Sequence, residues 1–475
     1  MMMVTSLPLK GIPGSYGPPL IGSLKDRLDY FWFQGQDTFF RSRVAKYQST
    51  VFRTNIPPSF PFIGVDPRII AITDCKSFEA LFDMSLVEKK DILVGSYMPS
   101  VSYTGSTRVV AYLDTSEERH AVIKTFAMET LKKASRTWVA VLQESLGRMF
   151  ETLEKEVKEK GKASFIAPVQ RCLFRFLCKV LVGADPLAVP EIGEDGWIIL
   201  DEWLALQLLP TVKTGAVPQP LEEILFHSFP FPFFMVSNGY RKIYEFLKKE
   251  GRSFIDSAKK DYGLTEEEIL HNIIFVIGFN AFGGFSVFLP SLLNAIGTDT
   301  GLQAQLRAEV KHTMQTHAGR LSFQAIEDMN LVKSTVYEVL RLNPPVALQF
   351  ARARRDFELE SYECKYGIRK GELLCGYQTL AMRDSRVFSD SEKFVADRFT
   401  KENGGEALLN HLFWSNGPQT GSPTINNKQC AAKDYVVATA WLIVAEIFSR
   451  YESFGTDGSS SITSLQESRM MLNQC

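Results

Sequence analysis

The chain has 475 residues and carries 53 Lys and Arg against 54 Asp and Glu, a formal net charge of −1, which leaves no electrostatic footprint for a nucleic-acid partner. Its 45% hydrophobic and 23% charged residues are the composition of a folded globular protein and exclude disorder as the main state. The 35 Phe and 15 Tyr need a large core or an apolar ligand to pack against.

The opening MMMVTSLPLKGIPGSYGPPL has too short an apolar run and too many Pro/Gly breaks for a signal peptide or anchoring helix. It is also poor in Arg and Ser for a plastid transit peptide. After the Pro/Gly lead-in from Gly11 to Gly22, Lys25 to Tyr47 has helical spacing. Val51 to Thr54 and Phe62 to Ala71 then read as hairpin-like strands. Glu118 to Lys162 predicts a long helix, its EKEVKEKGK end a solvated face stopped by Gly161. Helical runs broken by prolines follow, with the aromatic HSFPFPFF at 227 to 234.

Thr265 with Glu268 three residues on is a capping box. The stretch behind it, ILHNIIFVIGFNAFGGFSVFLPSLLNAIG, is apolar almost all round. Its polar residues, its glycines and Pro290 predict a long helix buried inside a protein in preference to a membrane span. The glycines weaken such a helix by about 1 kcal/mol each relative to Ala, so something is expected to approach its backbone closely. Further helices are expected at Leu302 to His317 and Leu331 to Leu342, strands at Phe357 to Tyr362 and Leu373 to Tyr377, and a last helix at Lys433 to Arg450.

Seven cysteines, at 75, 172, 178, 364, 375, 430 and 475, form no CxxC pair, which suits a reducing compartment. The six histidines show no HExxH or clustered spacing, so no histidine-held metal is expected. Glu338 and Arg341 share a helix face and can pair. In HLFWSNGPQTGSPTINNKQCAAKD, Cys430 stands just before a helix whose amides favour a thiolate. Such a thiolate suits a nucleophile or an axial haem ligand, and no nearby base supports the first.

With these motifs the chain resembles the cytochrome P450 superfamily, and specifically the plant family of fatty-acid hydroperoxide-metabolising P450s. The resemblance runs from IPGSYGPPLIGSLKDRLDYFWFQG to ESRMMLNQC. The usual haem loop reads FxxGxRxC, whereas here Cys430 follows Trp414 and Gly417 nine residues later than that motif expects. The resemblance implies a cytochrome P450 fold, mainly α with small β-sheets, as one domain over residues 1–475. It implies haem b with Cys430 as the axial thiolate on iron, and Arg398 locking Glu338 and Arg341.

GFNAFGGF, residues 278 to 285, would cross the haem face. Monooxygenases usually carry an acid and a Thr there for dioxygen cleavage; Asn280, Ala281, Phe282, Gly283 and Gly284 offer no such relay. The resemblance therefore implies polyunsaturated fatty-acid hydroperoxides as substrates, with no NADPH, dioxygen or reductase. O–O homolysis at ferric haem, rearrangement and hydroxyl rebound would give a hemiacetal that breaks into a C6 aldehyde and a C12 oxo-acid. The alternative is dehydration to a divinyl ether or allene oxide, and a conventional monooxygenase is a further rival.

Three residues are implied as catalytic: Asn280 to hydrogen-bond the hydroperoxide, and Leu93 and Gly284 to set the branch. Leu93 in DILVGSYMPS stands where allene oxide synthases typically have Phe in a stretch like DLFTGTYMPS. Lys89, Lys90, Arg108 and Lys428 are implied for contact with the haem propionates or the substrate carboxylate. Tyr103 to Thr107 and Thr379 depart from the family pattern where the pocket is expected. The family also implies the plastid, with the cytoplasm as the alternative. Peripheral membrane association through the N-terminal and 227 to 234 regions, and self-association, are the remaining partner expectations.

Overall fold

The computed structural model describes residues 7–59 and 64–467, with the side chain of Asn280 outside the described part. The fold is predominantly helical with minor sheet, as the resemblance implied. Its longest element, helix Glu118–Lys160, buries Ile123, Phe126, Leu131, Trp138, Leu142, Leu146, Phe150 and Leu153, a stripe at helical spacing. Gly161 ends it in the left-handed conformation at φ 73°, donating its N–H to the Val157 carbonyl. Helix Ile166–Val182 packs back along it.

The capping box is formed: Thr265 Oγ1 accepts from the Glu268 amide at 3.2 Å, and Glu268 Oε2 accepts from the Thr265 amide at 2.9 Å. Glu268 also takes a 2.7 Å hydrogen bond from Arg119 Nε, which ties this helix to the start of the long one. The helix runs from Glu266 to Gly297 in α form, except that Val276–Phe282 is a π turn. By length and composition it is able to cross a membrane, and 53% of its most apolar stretch is buried within this protein. Ile269, Leu270, Ile274, Phe275, Phe282 and Leu292 are buried, with helices Ile166–Val182 and Gly196–Leu208 beside the π turn.

The largest sheet has five strands, in the order Val51–Asn55, Arg68–Ile72, Leu373–Tyr377, Leu348–Ala353 and Val87–Glu88. The first pair is antiparallel, as a hairpin-like reading requires. Its second strand starts at Arg68 and not Phe62, because Pro67 precedes it; residues 60–63 lie outside the described residues. Phe39, Phe40, Phe52 and Tyr377 form a second apolar cluster, with Phe40 stacked on Tyr377 at 4.3 Å. Helix Lys433–Arg450 is not the last element: Tyr451–Thr456 and Ser461–Glu467 form an antiparallel pair that adds Ala163–Ser164 as its third strand. Leu348–Ala353 was likewise unmarked in the sequence, since half its residues face other elements without alternation.

Helix Asn330–Leu342 presents Glu338 to both arginines of the predicted lock. Arg341 grips the carboxylate with Nε at 2.7 Å and Nη2 at 2.8 Å, and Arg398 Nε lies 3.1 Å from each oxygen. The Val395 amide adds a bond at 2.9 Å. The remaining N–H groups of Arg341 reach the Met382, Ser391 and Lys393 carbonyls, so a segment without regular structure is held by one buried carboxylate and two guanidiniums.

Candidate active site

The lengthened loop before Cys430 is folded on itself. The Cys430 amide donates to the Ser415 carbonyl at 2.9 Å, and its carbonyl accepts from the Lys433 amide at 3.1 Å. Gln429 turns inward, donating to the Pro418 carbonyl at 2.7 Å and Ser415 Oγ at 3.2 Å. Trp414 Nε1 donates to Gln419 Oε1 at 2.9 Å, and Lys433 Nζ to the Gln419 carbonyl at 2.8 Å. Asn416 adopts φ 62°, a left-handed turn that Asn tolerates. The insertion is thus a braced lobe, and Cys430 leaves it at a defined position ahead of helix Lys433–Arg450.

Cys430 is the one described cysteine that is only partly buried; Cys75, Cys172, Cys178, Cys364 and Cys375 are all buried. Burial pushes its thiol up, opposed by the Ala432 amide and the Lys124 ammonium. Burial drives Cys172 to about 12 with one weak opposing charge, so it is held as a thiol. Among the described cysteines, Cys430 alone pairs partial exposure with an amide and an ammonium that oppose the rise caused by burial.

Around it stand three lysines that meet neutral acceptors, Lys89 and Lys124 buried and Lys428 half-buried. Lys89 Nζ donates to Asn416 Oδ1, Lys124 Nζ to the Gln429 carbonyl, and Lys428 Nζ to the Val110 and Leu113 carbonyls at 2.7 and 2.6 Å. Among the described residues none of the three forms an ion pair with a carboxylate. Burial, followed by Lys428, pulls Lys89 down to about 7. Burial likewise brings Lys428 to about 7 and Lys124 to about 8. His120, one turn before Lys124 on the same helix face, is fully buried and lowered to about 4 by burial and the two lysines. A cleft of about 160 Å³ opens beside Lys89, Asn416, Gly417 and Lys428. Unpaired buried cations are costly, and a site of this kind is built for anionic groups.

Of the four cations implied by the resemblance, Lys89 and Lys428 therefore stand together. Lys90 is exposed, and Arg108 spends its guanidinium on Asp91 and Glu117 at 3.0 and 2.6 Å. Sequence reasoning missed Lys124 and His120. Their spacing of four on the Glu118–Lys160 helix was the available signal, but their burial was not visible.

Leu93 is half-buried at the start of a tight turn closed by mutual Val94 and Tyr97 hydrogen bonds of 3.1 Å. Gly95 in that turn has φ 66°, and a Cβ there would come 3.2 Å from the Phe350 ring. Asn280 belongs by its backbone to the π turn; its side chain lies outside the described part. The two glycines after it differ. A Cβ on Gly283 would meet Leu204 Cδ2 at 2.7 Å, whereas one on Gly284 would meet nothing within 4 Å. Tyr103 and Thr104 are buried, and Gly105 is pressed against the His271 ring, so that part of the departing stretch packs against the central helix.

A helical fold with a buried Glu–Arg–Arg lock, a cysteine on a braced loop and a π turn in a long buried helix defines a haem-thiolate protein. The sequence model of cytochrome P450 matches residues 85–419, and this chain belongs to that family, in its branch of hydroperoxide-metabolising enzymes. It is 54% identical over 465 residues to the chloroplastic fatty acid hydroperoxide lyase of Solanum lycopersicum, covering 97% of each chain. It is 52% identical over 458 residues to the chloroplastic linolenate hydroperoxide lyase of Arabidopsis thaliana, covering 96% of this chain and 93% of that one. It is 44% identical over 449 residues to the chloroplastic allene oxide synthase 1 of Solanum lycopersicum, covering 94% and 83%. The match to the general family ends before Cys430, where the loop departs from the common pattern.

The family binds haem b through a cysteine thiolate, and the residues present fit that group: a part-exposed thiol near an amide and a cation, and three lysines without carboxylate partners that two propionates would suit. The lysines give a pH dependence that can be measured. A lysine depressed to about 7 is neutral in the folded chain and charged in the unfolded chain between pH 7 and its ordinary value. The unfolded state then binds more protons, so Lys89 makes the haem-free protein more stable as pH rises through that window, by at most about 1.4 kcal/mol per pH unit. Denaturant midpoints at pH 7.0 and 9.5 (roughly the two ends of the window) are expected to rise in the wild type and to rise less steeply in Lys89→Met, where Lys124 and Lys428 still contribute. Equal slopes in the two proteins would rule out a neutral buried Lys89.

Proposed function

We propose that the chain is a fatty-acid 13-hydroperoxide lyase that converts its substrate to a C6 aldehyde and a C12 oxo-acid without NADPH, dioxygen or a reductase. The observation that carries this reading is identity of 54% and 52%, over nearly the whole of each chain, with two proteins named as hydroperoxide lyases. The names of both also support the plastid as its location.

Bound haem supplies homolysis of the substrate O–O bond. Cys430 is the residue that would ligate the haem iron; burial raises its thiol, and the Ala432 amide and Lys124 oppose that rise. Lys89, Lys124 and Lys428, with His120, hold the propionate edge. The π turn at Val276–Phe282 brings the backbone of Asn280 out of α register, and we assign its amide the role of orienting the hydroperoxide. Open space at Gly284 leaves room for the substrate chain beside that turn. Leu93 offers an aliphatic wall with no π face to stabilise a radical or its cation, which leaves hydroxyl rebound as the favoured exit.

Mass-spectrometric product profiles from purified ferric protein with the 9- and 13-hydroperoxides of linolenic acid test the reading. Hexenal with the C12 oxo-acid is the expected result. Dominance of ketols or a divinyl ether would transfer the chain to the dehydrating branch, and 9-carbon fragments would overturn the positional assignment. Leu93→Phe is expected to raise the ratio of dehydration products to aldehyde about tenfold, a difference of roughly 1.4 kcal/mol between competing barriers. An unchanged ratio would remove Leu93 from the branch point.

A further inference from the structure

We infer that Trp203 and Leu204 are positioning residues for the product branch: the helix Gly196–Leu208 sets the spacing between the Leu93 turn and the π turn that carries Asn280. The inference rests on the lyase reading for the identity of the two product classes, and on geometry for the rest.

Helix Gly196–Leu208 has the central helix on one wall and the Tyr97 to Tyr103 segment on the other. On the central helix, Gly278 lies within the π turn and Gly283 directly after it. A Cβ at Gly278 would stand 3.0 Å from Trp203 Cζ3 and 3.2 Å from Leu200 Cδ2, and one at Gly283 would stand 2.7 Å from Leu204 Cδ2. These glycines admit the two side chains, one within the widened turn and one at its end. That satisfies the expectation from sequence that something approaches this backbone closely.

Toward the other wall, Trp203 is fully buried and donates Nε1–H to the Tyr103 carbonyl at 2.9 Å. Four residues on, the Gln207 carbonyl accepts from Tyr97 Oη at 3.3 Å, and Tyr97 closes the turn that begins beside Leu93. The Trp203 ring is held in place by Tyr240 stacked at 5.8 Å and by the edges of Phe275 and Phe279 at 6.2 and 6.5 Å. A side chain fixed by packing on four sides and by one buried hydrogen bond transmits small displacements instead of absorbing them.

The chemistry makes that spacing decisive. Rebound and dehydration diverge from one radical, so their ratio depends on differences of about 1 kcal/mol between competing barriers, which shifts of a fraction of an ångström can supply. Gly284, adjacent in sequence, meets nothing within 4 Å and plays no part in this brace.

The test uses ferric holoenzyme of the wild type, Gly283→Ala, Leu204→Ala, the double variant of both, and Trp203→Phe. Three quantities are read: the ratio of aldehyde to dehydration products from the 13-hydroperoxide, the affinity for the matching unreactive hydroxy fatty acid, and the unfolding midpoint. Gly283→Ala is expected to change the product ratio at least about fivefold. Removing the Leu204 side chain in the double variant is expected to return the ratio to within about twofold of the wild type, with analogue affinity following the same pattern. Trp203→Phe keeps an aromatic ring and deletes the N–H, so it shifts the ratio even where the alanine variant does not fold. A constant ratio in Gly283→Ala and Trp203→Phe, with only the midpoint or total turnover lowered, would show a purely structural role and overturn the inference. So would a double variant that keeps the altered ratio. Failure of the lyase reading shows separately, as a wild type that makes no aldehyde, and the ratio among its actual products still reports on Trp203 and Leu204.

Discussion

Cys430→Ala is expected to abolish both the thiolate-type Soret band and hydroperoxide consumption, with turnover falling at least about a thousandfold. The reason is local. The other five described cysteines are buried, and none of them sits in the loop that precedes helix Lys433–Arg450. The loop itself should survive, because its bonds run through the Ser415 and Lys433 backbones and the Gln429, Trp414 and Lys433 side chains, none of which involves the sulfur. Far-UV circular dichroism is therefore expected to be unchanged. A variant that kept the thiolate band would refute Cys430 as the ligand.

Glu338→Gln is expected to be the most destabilising conservative change in the chain. Glu338 and Arg341 are both fully buried, and Arg398 is nearly so. Replacing the carboxylate by an amide leaves two guanidiniums facing one neutral oxygen, and breaking a buried pair in this way costs about 3–5 kcal/mol. The damage extends beyond the pair. Arg341 and Arg398 between them bind the carbonyls of Met382, Ser389, Asp390, Ser391 and Lys393, so the segment leading to the cysteine loop loses its anchor. Urea midpoints and haem content per protein are the measurements, and both are expected to fall. A midpoint within experimental error of the wild type would mean that this lock is dispensable.

Much of this site was legible because its signals are local. Cys430 sits in a loop whose Gly, Pro and Asn content announces turns, just ahead of an apolar helical run. Glu338 and Arg341 lie three apart, a spacing that makes them neighbours on any helix. The capping box at Thr265 and Glu268 needs only four residues to declare itself. What was not legible depends on pairing or burial across long stretches of chain. The strand Leu348–Ala353 lies inside a five-stranded sheet and lacks a two-residue alternation. The terminal pair Tyr451–Thr456 and Ser461–Glu467 is half-exposed and rich in Ser, Thr and Gly, which reads as loop until its partner at Ala163–Ser164 is seen.

The cations show the same division most clearly. Lys89, Lys90, Arg108 and Lys428 are equal as letters, yet Lys89 is buried and Lys428 half-buried at the cysteine loop, one is exposed and one is paired with Asp91 and Glu117. By itself the sequence determined the order of the main elements, because periodicity and turn residues are properties of short segments, and through the motifs that carry its resemblance it gave the family and fold class and singled out Cys430. Only the tertiary structure decided which lysines meet at the site, which glycine carries Leu204 and which stands open. Burial and electrostatic partnership come from elements hundreds of residues apart packing into one low-dielectric interior.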